Sequence, residues 1–414
     1  MADLRRMTAW MTGVGLVVGG VVATGVSSAA ADTVDYGPVR TLPDYSADGD
    51  TGEALEMADD GTAYVLNKFG RQLRVFGPRA TGRKAKPVRE VRGVFAGATD
   101  VSVDRAGLVY VLEPKGPTPG TSRVTVLPPR AKGPVLRRLV VPGSWTALGV
   151  GPAGHIAVAG TSALRVYPPG ASGAAEPTQV ISGPATRLPT EIIDVGFAVD
   201  GRVWAAIDKR LVAFARGADG NTPPAGTIAG VRTRLNDDTV VPQIDLDGRG
   251  RVYVVDSYGE IAAFAPKVYG NAAPVRRLAN PDHWGFWGPI AVNSRGDLMV
   301  EAPDEGPPRL QIYRTLFPTR PSVVRSVRVS GKAAAKKRTV RWKRPADDGG
   351  RAVKSYSVVF RKGSKVVKKV TLKPGRRSYT VKKSALRRGK LTVTVRAKTA
   401  KGWSRKAVKK FRVR

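Results

Sequence analysis

The chain has 414 residues, 69 Lys plus Arg against 33 Asp plus Glu, a formal net charge of +36, two histidines and no cysteine. The missing thiols exclude disulfides, thiolate metal sites, cysteine nucleophiles and a lipid-modified N-terminal cysteine, and two histidines are too few for a multi-histidine metal centre. No G-x-S-x-G turn is present, so the usual serine-nucleophile elbow is also absent.

Residues 1–31 read as a secretory signal: Arg5 and Arg6, an apolar stretch from Met7 to Val26, then Ala29, Ala30 and Ala31 as an A-x-A cleavage site. The processed chain would start at Asp32 and be secreted, with retention on the cell envelope. The competing reading is an uncleaved membrane anchor, because the apolar stretch approaches spanning length. The loop 44–53 carries Asp44, Asp48, Asp50 and Glu53 but lacks EF-hand spacing, and reads as a solvated turn.

From Leu55 to Tyr313 one phrase recurs six times. Its turn glycine stands at Gly61, Gly107, Gly154, Gly201, Gly250 and Gly296, at spacings of 46, 47, 47, 49 and 46 residues. A short apolar strand precedes each glycine and a second follows (TAYVL, LVYVL, HIAVA, RVWAA, RVYVV, DLMVE). A third strand carries a bulky residue (LRVF, VTVL, LRVY, LVAF, IAAF, LQIY), and a fourth follows Pro87, Pro134, Pro177, Pro224 and Pro274. Four strands per repeat of about 40 to 50 residues predict propeller blades. The sixth copy lacks its fourth strand, and the matching segment GPVRTL lies ahead of the first copy, at 37–42. An N-terminal strand completing the last blade would close the ring and remove an exposed edge. The repeat, with its acidic or glycine turn, VYV-like strand and aromatic third strand, resembles the NHL-type propeller repeat over residues 37–317. The resemblance implies a six-bladed ring and leaves function open, since such rings serve as enzymes and as binding platforms.

Along each innermost strand the first and third positions are apolar, from Leu55/Met57 to Ile290/Val292, which marks faces packed between blades. The residue between them is small in four copies and Glu56 or Asp245 in two. Those two are costly to bury unless the central channel is wet or holds a cation. With Asp100 and Asp194 they make a candidate calcium site of oxygen ligands, and no other cofactor is expected. Two loops leading into inner strands are aromatic, one with Trp145 and one with His283, Trp284, Phe286 and Trp287. They are candidates to stack on a glycan or to meet a protein ligand at the axial mouth, against the plainer reading that they plug the channel and pack the loops. His155 lies beside Gly154, on the opposite face.

After Phe317 the composition changes. Residues 318–414 hold 34 Lys plus Arg against two acids, Asp347 and Asp348, whereas the preceding residues hold 35 against 31. Apolar residues alternate in TVRW, SYSVVF, VVKKVTL, LTVTVRA and FRV, so this quarter is folded as strands. Pro321 at the entry, Trp342 on the second strand, Pro345 with the turn ADDGG, Tyr356 on the third strand and VRAKTAKGWS at 395–404 together resemble a fibronectin type III domain. The resemblance implies an immunoglobulin-like β-sandwich with Trp342 and Tyr356 in its core. It departs where the family places its corner tyrosine, a position held here by Leu391. The expected organisation is therefore an all-β chain: signal 1–31, six-bladed propeller 32–317, basic sandwich 318–414.

So many cations on one small sandwich repel one another, and a polyanion would relieve them. Candidate contacts are the doubled bases Lys336, Lys337, Lys368, Lys369, Arg376, Arg377, Lys382, Lys383, Arg387, Arg388, Lys409 and Lys410. Spread over different strands and turns, they suit diffuse adhesion to anionic envelope polymer, lipid headgroups or other polyanion, and not sequence-specific recognition of nucleic acid. The expected function is a non-catalytic exported binding or scaffold protein. The alternative is a polysaccharide-acting hydrolase, or a calcium-dependent lyase or lactonase, with the basic module as anchor; paired carboxylates remain compatible with sugar hydrolysis.

Overall fold

The computed structural model describes residues 32–34, 37–43, 53–67, 72–95, 97–189, 191–235, 243–279, 285–302 and 309–414. Residues 1–31, read above as a secretory signal, most of the acidic loop 44–53, and His283 and Trp284 lie outside them. Among the described residues no helix is long and apolar enough to cross a membrane.

Six four-stranded antiparallel units follow one another, each running from an inner to an outer strand. Their inner strands are Glu53–Met57, Asp100–Val103, Trp145–Val150, Asp194–Phe197, Ile244–Leu246 and Trp287–Val292. Each inner strand packs against the next and the sixth packs against the first, so the units are blades of a closed six-bladed propeller. The six periodic glycines all adopt φ between +75° and +86°, the left-handed region that a side chain disfavours, and so each turns the inner strand into the second. Within the turns, Asp104 and Asp247 accept hydrogen bonds from Tyr110 and Tyr253 on the second strand, which fixes the start of that strand.

The sixth blade is completed from the other end of the described chain: Arg40–Leu42 pairs antiparallel with Arg309–Tyr313, with Leu42 fully buried. Arg40 latches this strand to the first blade. Its guanidinium donates to the carbonyls of Gly61 (2.8 Å), Ala80 (2.9 Å) and Gly77 (3.0 Å).

Five of the six outer edges are also covered. Gly173, Gly220 and Gly270, each between the third and fourth strands of its blade, make a parallel bridge to the outer strand of the preceding blade. For the fifth blade the same position is filled by Asp32–Val34, which lies parallel to Arg276–Leu278. Gly82 closes the series by donating its N–H to the carbonyl of Thr41. Capping of this kind leaves short, protected edges and suppresses strand addition.

Residues 324–413 form two facing sheets. One has the order Val324–Ser330, Lys337–Pro345, Ser378–Lys382. The other places Lys365–Leu372, Ser355–Lys362, Gly389–Thr399 and Ala407–Val413 side by side. Between them lies a core that includes Trp342, Tyr356, Phe360, Leu391 and Val395. Trp342 and Tyr356 are buried with ring centroids 5.6 Å apart. Leu391 is 1 % exposed and packs into this core.

The sandwich rests on the ring through the connector. Leu316 is buried, and Phe317 sits under the Arg251 guanidinium, 3.8 Å from the ring centroid, and edge-on to Tyr253. The turn 346–350 folds back over this connector: Thr319 N–H donates to Gly349, Ser322 N–H to Asp347, and Arg314 lies 3.9 Å from Asp348 and 3.7 Å from Asp297. A Cβ on Gly350 would come within 2.3 Å of the Thr315 methyl, so only glycine permits this approach.

Candidate binding surfaces

The ring encloses an axial cavity of about 170 Å³ lined by all six inner strands, including Glu56, Asp100, Asp194 and Asp245. All four acids therefore face one space, but their oxygens are engaged by backbone amides. Glu56 accepts from Met57 N–H (2.7 Å), from Val103 N–H of the next blade (3.1 Å) and from the Ser102 hydroxyl. Asp100 accepts from Val101 N–H (2.8 Å) and, one blade on, Leu148 N–H (2.7 Å). Asp194 bridges Val195 and Ile244, and Asp245 bridges Leu246 and Val292, in the same way. Each carboxylate clasps its own strand to its neighbour. These bonds offset part of the cost of burying Glu56 and Asp245. Among the described residues no group of three or more acidic or histidine side chains is arranged to hold a metal ion.

Electrostatically these clasps are under tension. Burial, and secondarily Asp100, pushes the Glu56 carboxyl up to about 7. Burial raises Asp245 well above the ordinary carboxylate range, and the nearby Glu56 and Asp194 add to it. Between the third and fourth blades no acid is needed, because Gly149 lets the backbone of Val195 approach directly. A Cβ at Gly149 would lie 2.5 Å from the Val195 carbonyl oxygen.

The aromatic candidates part company. Trp145 is 5 % exposed, donates its indole N–H to the Pro142 carbonyl (2.9 Å) and is covered by Arg165. Phe286 is 2 % exposed and meets Tyr313 edge-to-face at 5.8 Å. Both are packing residues, which corrects their candidacy as a stacking platform: burying the ring area outweighs leaving it at a wet mouth. A register shift immediately after Trp145 accompanies its inward placement. Trp287 pairs through its backbone with Glu301.

Of the twelve doubled bases in the sandwich, ten are exposed, while Arg377 and Lys383 are half-buried. Arg377 stacks over Tyr356 at 4.8 Å and has a structural task. Strand register reveals what spacing in the sequence does not. Arg325 faces Lys343, Arg328 faces Arg341, Lys337 faces Lys382, Lys362 faces Lys365, and Lys390 faces Arg412. Five cross-strand pairs thus oppose like charges, an arrangement that destabilises a sheet. The two acids of this region sit at the joint with the ring. The inward-pointing Arg338, 5 % exposed, donates through its two terminal nitrogens to the carbonyls of Gly331, Lys332 and Arg412, while its buried Nε finds no partner.

No family model and no curated protein matches this sequence. Among solved structures the chain is similar to the WD40 β-propeller domain of Doa1, at 12 % identity and a TM-score of 0.42, over 68 % of this chain and 80 % of that one. The propeller assignment stands on the strand register and ring closure described above.

Proposed function

We propose that this chain is an exported binding or scaffold protein without catalytic chemistry. In this reading an NHL-type ring, residues 32–317, offers a platform for a glycan or protein partner. A fibronectin type III sandwich, residues 318–414, holds it to anionic polymer of the cell envelope. The observation that carries the reading is the set of like-charge pairs facing each other across the sandwich strands. A fold that tolerates such repulsion gains most when an anionic partner neutralises it. The engagement of the axial carboxylates by backbone amides supports a non-catalytic ring, because those groups already serve the blade interfaces.

The test is retention of the chain starting at Asp32 on immobilised polyanion across a salt series. Retention is expected at low salt and should fall at least about tenfold between 50 and 200 mM, as screening and counterion release dictate. Absent or salt-insensitive retention would overturn the adhesive role.

A further inference from the structure

The doubled bases direct attention to turns, but strand register also gathers bases on one sheet face. On the three-stranded sheet of the sandwich, alternate residues of the central strand Lys337–Pro345 point outward: Lys337, Thr339, Arg341 and Lys343 are exposed or half-exposed, while Arg338, Val340 and Trp342 are buried. Register then builds rows across the face. Arg325 stands beside Lys343, Arg328 beside Arg341, Ser330 beside Thr339 and Thr380, and Lys337 beside Lys382. All six bases are exposed in the presence of the ring, so the ring does not cover this face.

We infer that this sheet face is the docking track for a linear anionic polysaccharide, an inference that rests on the adhesive reading above. Successive rows are about 6.8 Å apart along the strands and neighbouring strands about 4.8 Å apart, so the cations form a two-dimensional grid suited to a polymer with regularly spaced anions. Between the outer basic rows runs a hydroxyl row, with Thr339 and Thr380 in mutual hydrogen-bond contact at 2.9 Å, which offers partners to sugar hydroxyls. The outward positions carry no aromatic side chain for nucleobases to stack on. Nor do they carry a large apolar side chain to enter a lipid surface. The half-buried Val327, Val329 and Tyr379 pack inward against the core. With both sandwich acids at the ring joint, no carboxylate on this face competes for the cations.

The experiment compares two five-fold variants of the chain from Asp32. One replaces Arg328, Lys337, Arg341, Lys343 and Lys382 with Gln. The other replaces Lys365, Lys369, Arg387, Arg388 and Lys410 with Gln, removing equal charge elsewhere on the sandwich. Binding to polygalacturonate is measured at 100 mM salt, with neutral dextran, phosphatidylglycerol vesicles and poly(dT) as comparators. Loss of at least about tenfold in the face variant, against less than about threefold in the other, is the expected result. Melting of each variant checks folding, and relief of the opposed pairs should leave the face variant at least as stable as the parent. Equal losses would refute the track while leaving diffuse adhesion intact. Tighter binding of vesicles or poly(dT) than of polygalacturonate would refute the ligand class. Failure of the parent itself to bind any polyanion would sink the adhesive reading beneath both.

Discussion

Replacing Glu56 with Gln tests whether the axial acids act as blade clasps held against their own electrostatics. Burial and the neighbouring Asp100 raise this carboxyl to about 7, from an ordinary value of 4.5. Between those two values the folded chain holds a proton that the unfolded chain has released. Stability therefore falls as pH rises through the window and levels off for this group above about 7. At about 1.4 kcal/mol per unit, the span of roughly 2.5 units is worth at most about 3.5 kcal/mol, an upper figure because one side of Glu56 opens on the channel and is screened by water. Glutamine cannot titrate, so the stability difference between variant and parent should move in the variant's favour by up to about that amount from pH 4.5 to pH 8. Loss of the Glu56 charge also removes one cause of the raised Asp245 carboxyl, which further flattens the variant's profile. Urea unfolding followed by tryptophan fluorescence at constant ionic strength, at pH 5, 6, 7 and 8, reads the effect. Parallel profiles for the two proteins, or a difference that moves the other way, would refute the argument.

Two further substitutions probe the ring. Arg40→Met leaves the carbonyls of Gly61, Gly77 and Ala80 without their shared donor and should cost about 2 to 3 kcal/mol in urea unfolding, where a change below about 0.5 would show that the latch is idle. Gly149→Val forces a side chain against the Val195 carbonyl and should cost about 1 to 3 kcal/mol by the same assay, more than Gly170→Val, where a Cβ has open space but φ is positive.

Much of the architecture was legible because it is periodic. A glycine every 46 to 49 residues requires the same turn six times, and a missing outer strand in the last copy requires a donor, which Arg40–Leu42 supplies. What periodicity cannot carry is the identity of a partner without a side chain. The acids at the axis were visible as charged positions on an apolar strand. Their partners are backbone amides of the next blade, which leave no mark in the sequence, and so a calcium site entered only as one candidate reading of these positions. Trp145 and Phe286 left two readings open, stacking at the mouth or packing of the loops, because an aromatic residue in a loop reads the same whether the loop opens to solvent or folds inward, and both turn out buried. The basic sheet face was within reach, since K-R-T-V-R-W-K alternates from Lys337 to Lys343, but its rows appear only when register sets Arg328 beside Arg341 and Lys337 beside Lys382.

The division of charge between ring and sandwich bears on how the two work as one molecule. Residues up to 317 are close to neutral, with 35 bases against 31 acids, so under the adhesive proposal a polyanion would gain little from the ring. The sandwich keeps Asp347 and Asp348 only where it meets the ring, and there both side chains shape the turn: Asp347 accepts from Gly349 N–H and Asp348 from Gly350 N–H. That turn in turn packs on the connector, with Gly350 against Thr315 and Asp348 near Arg314. Placed on the open sheet face, the same two carboxylates would pair with neighbouring cations and weaken a polyanion contact. Placed at the joint, they order the connector instead, so a sandwich held on anionic polymer would carry the ring in a fixed attitude rather than on a loose tether.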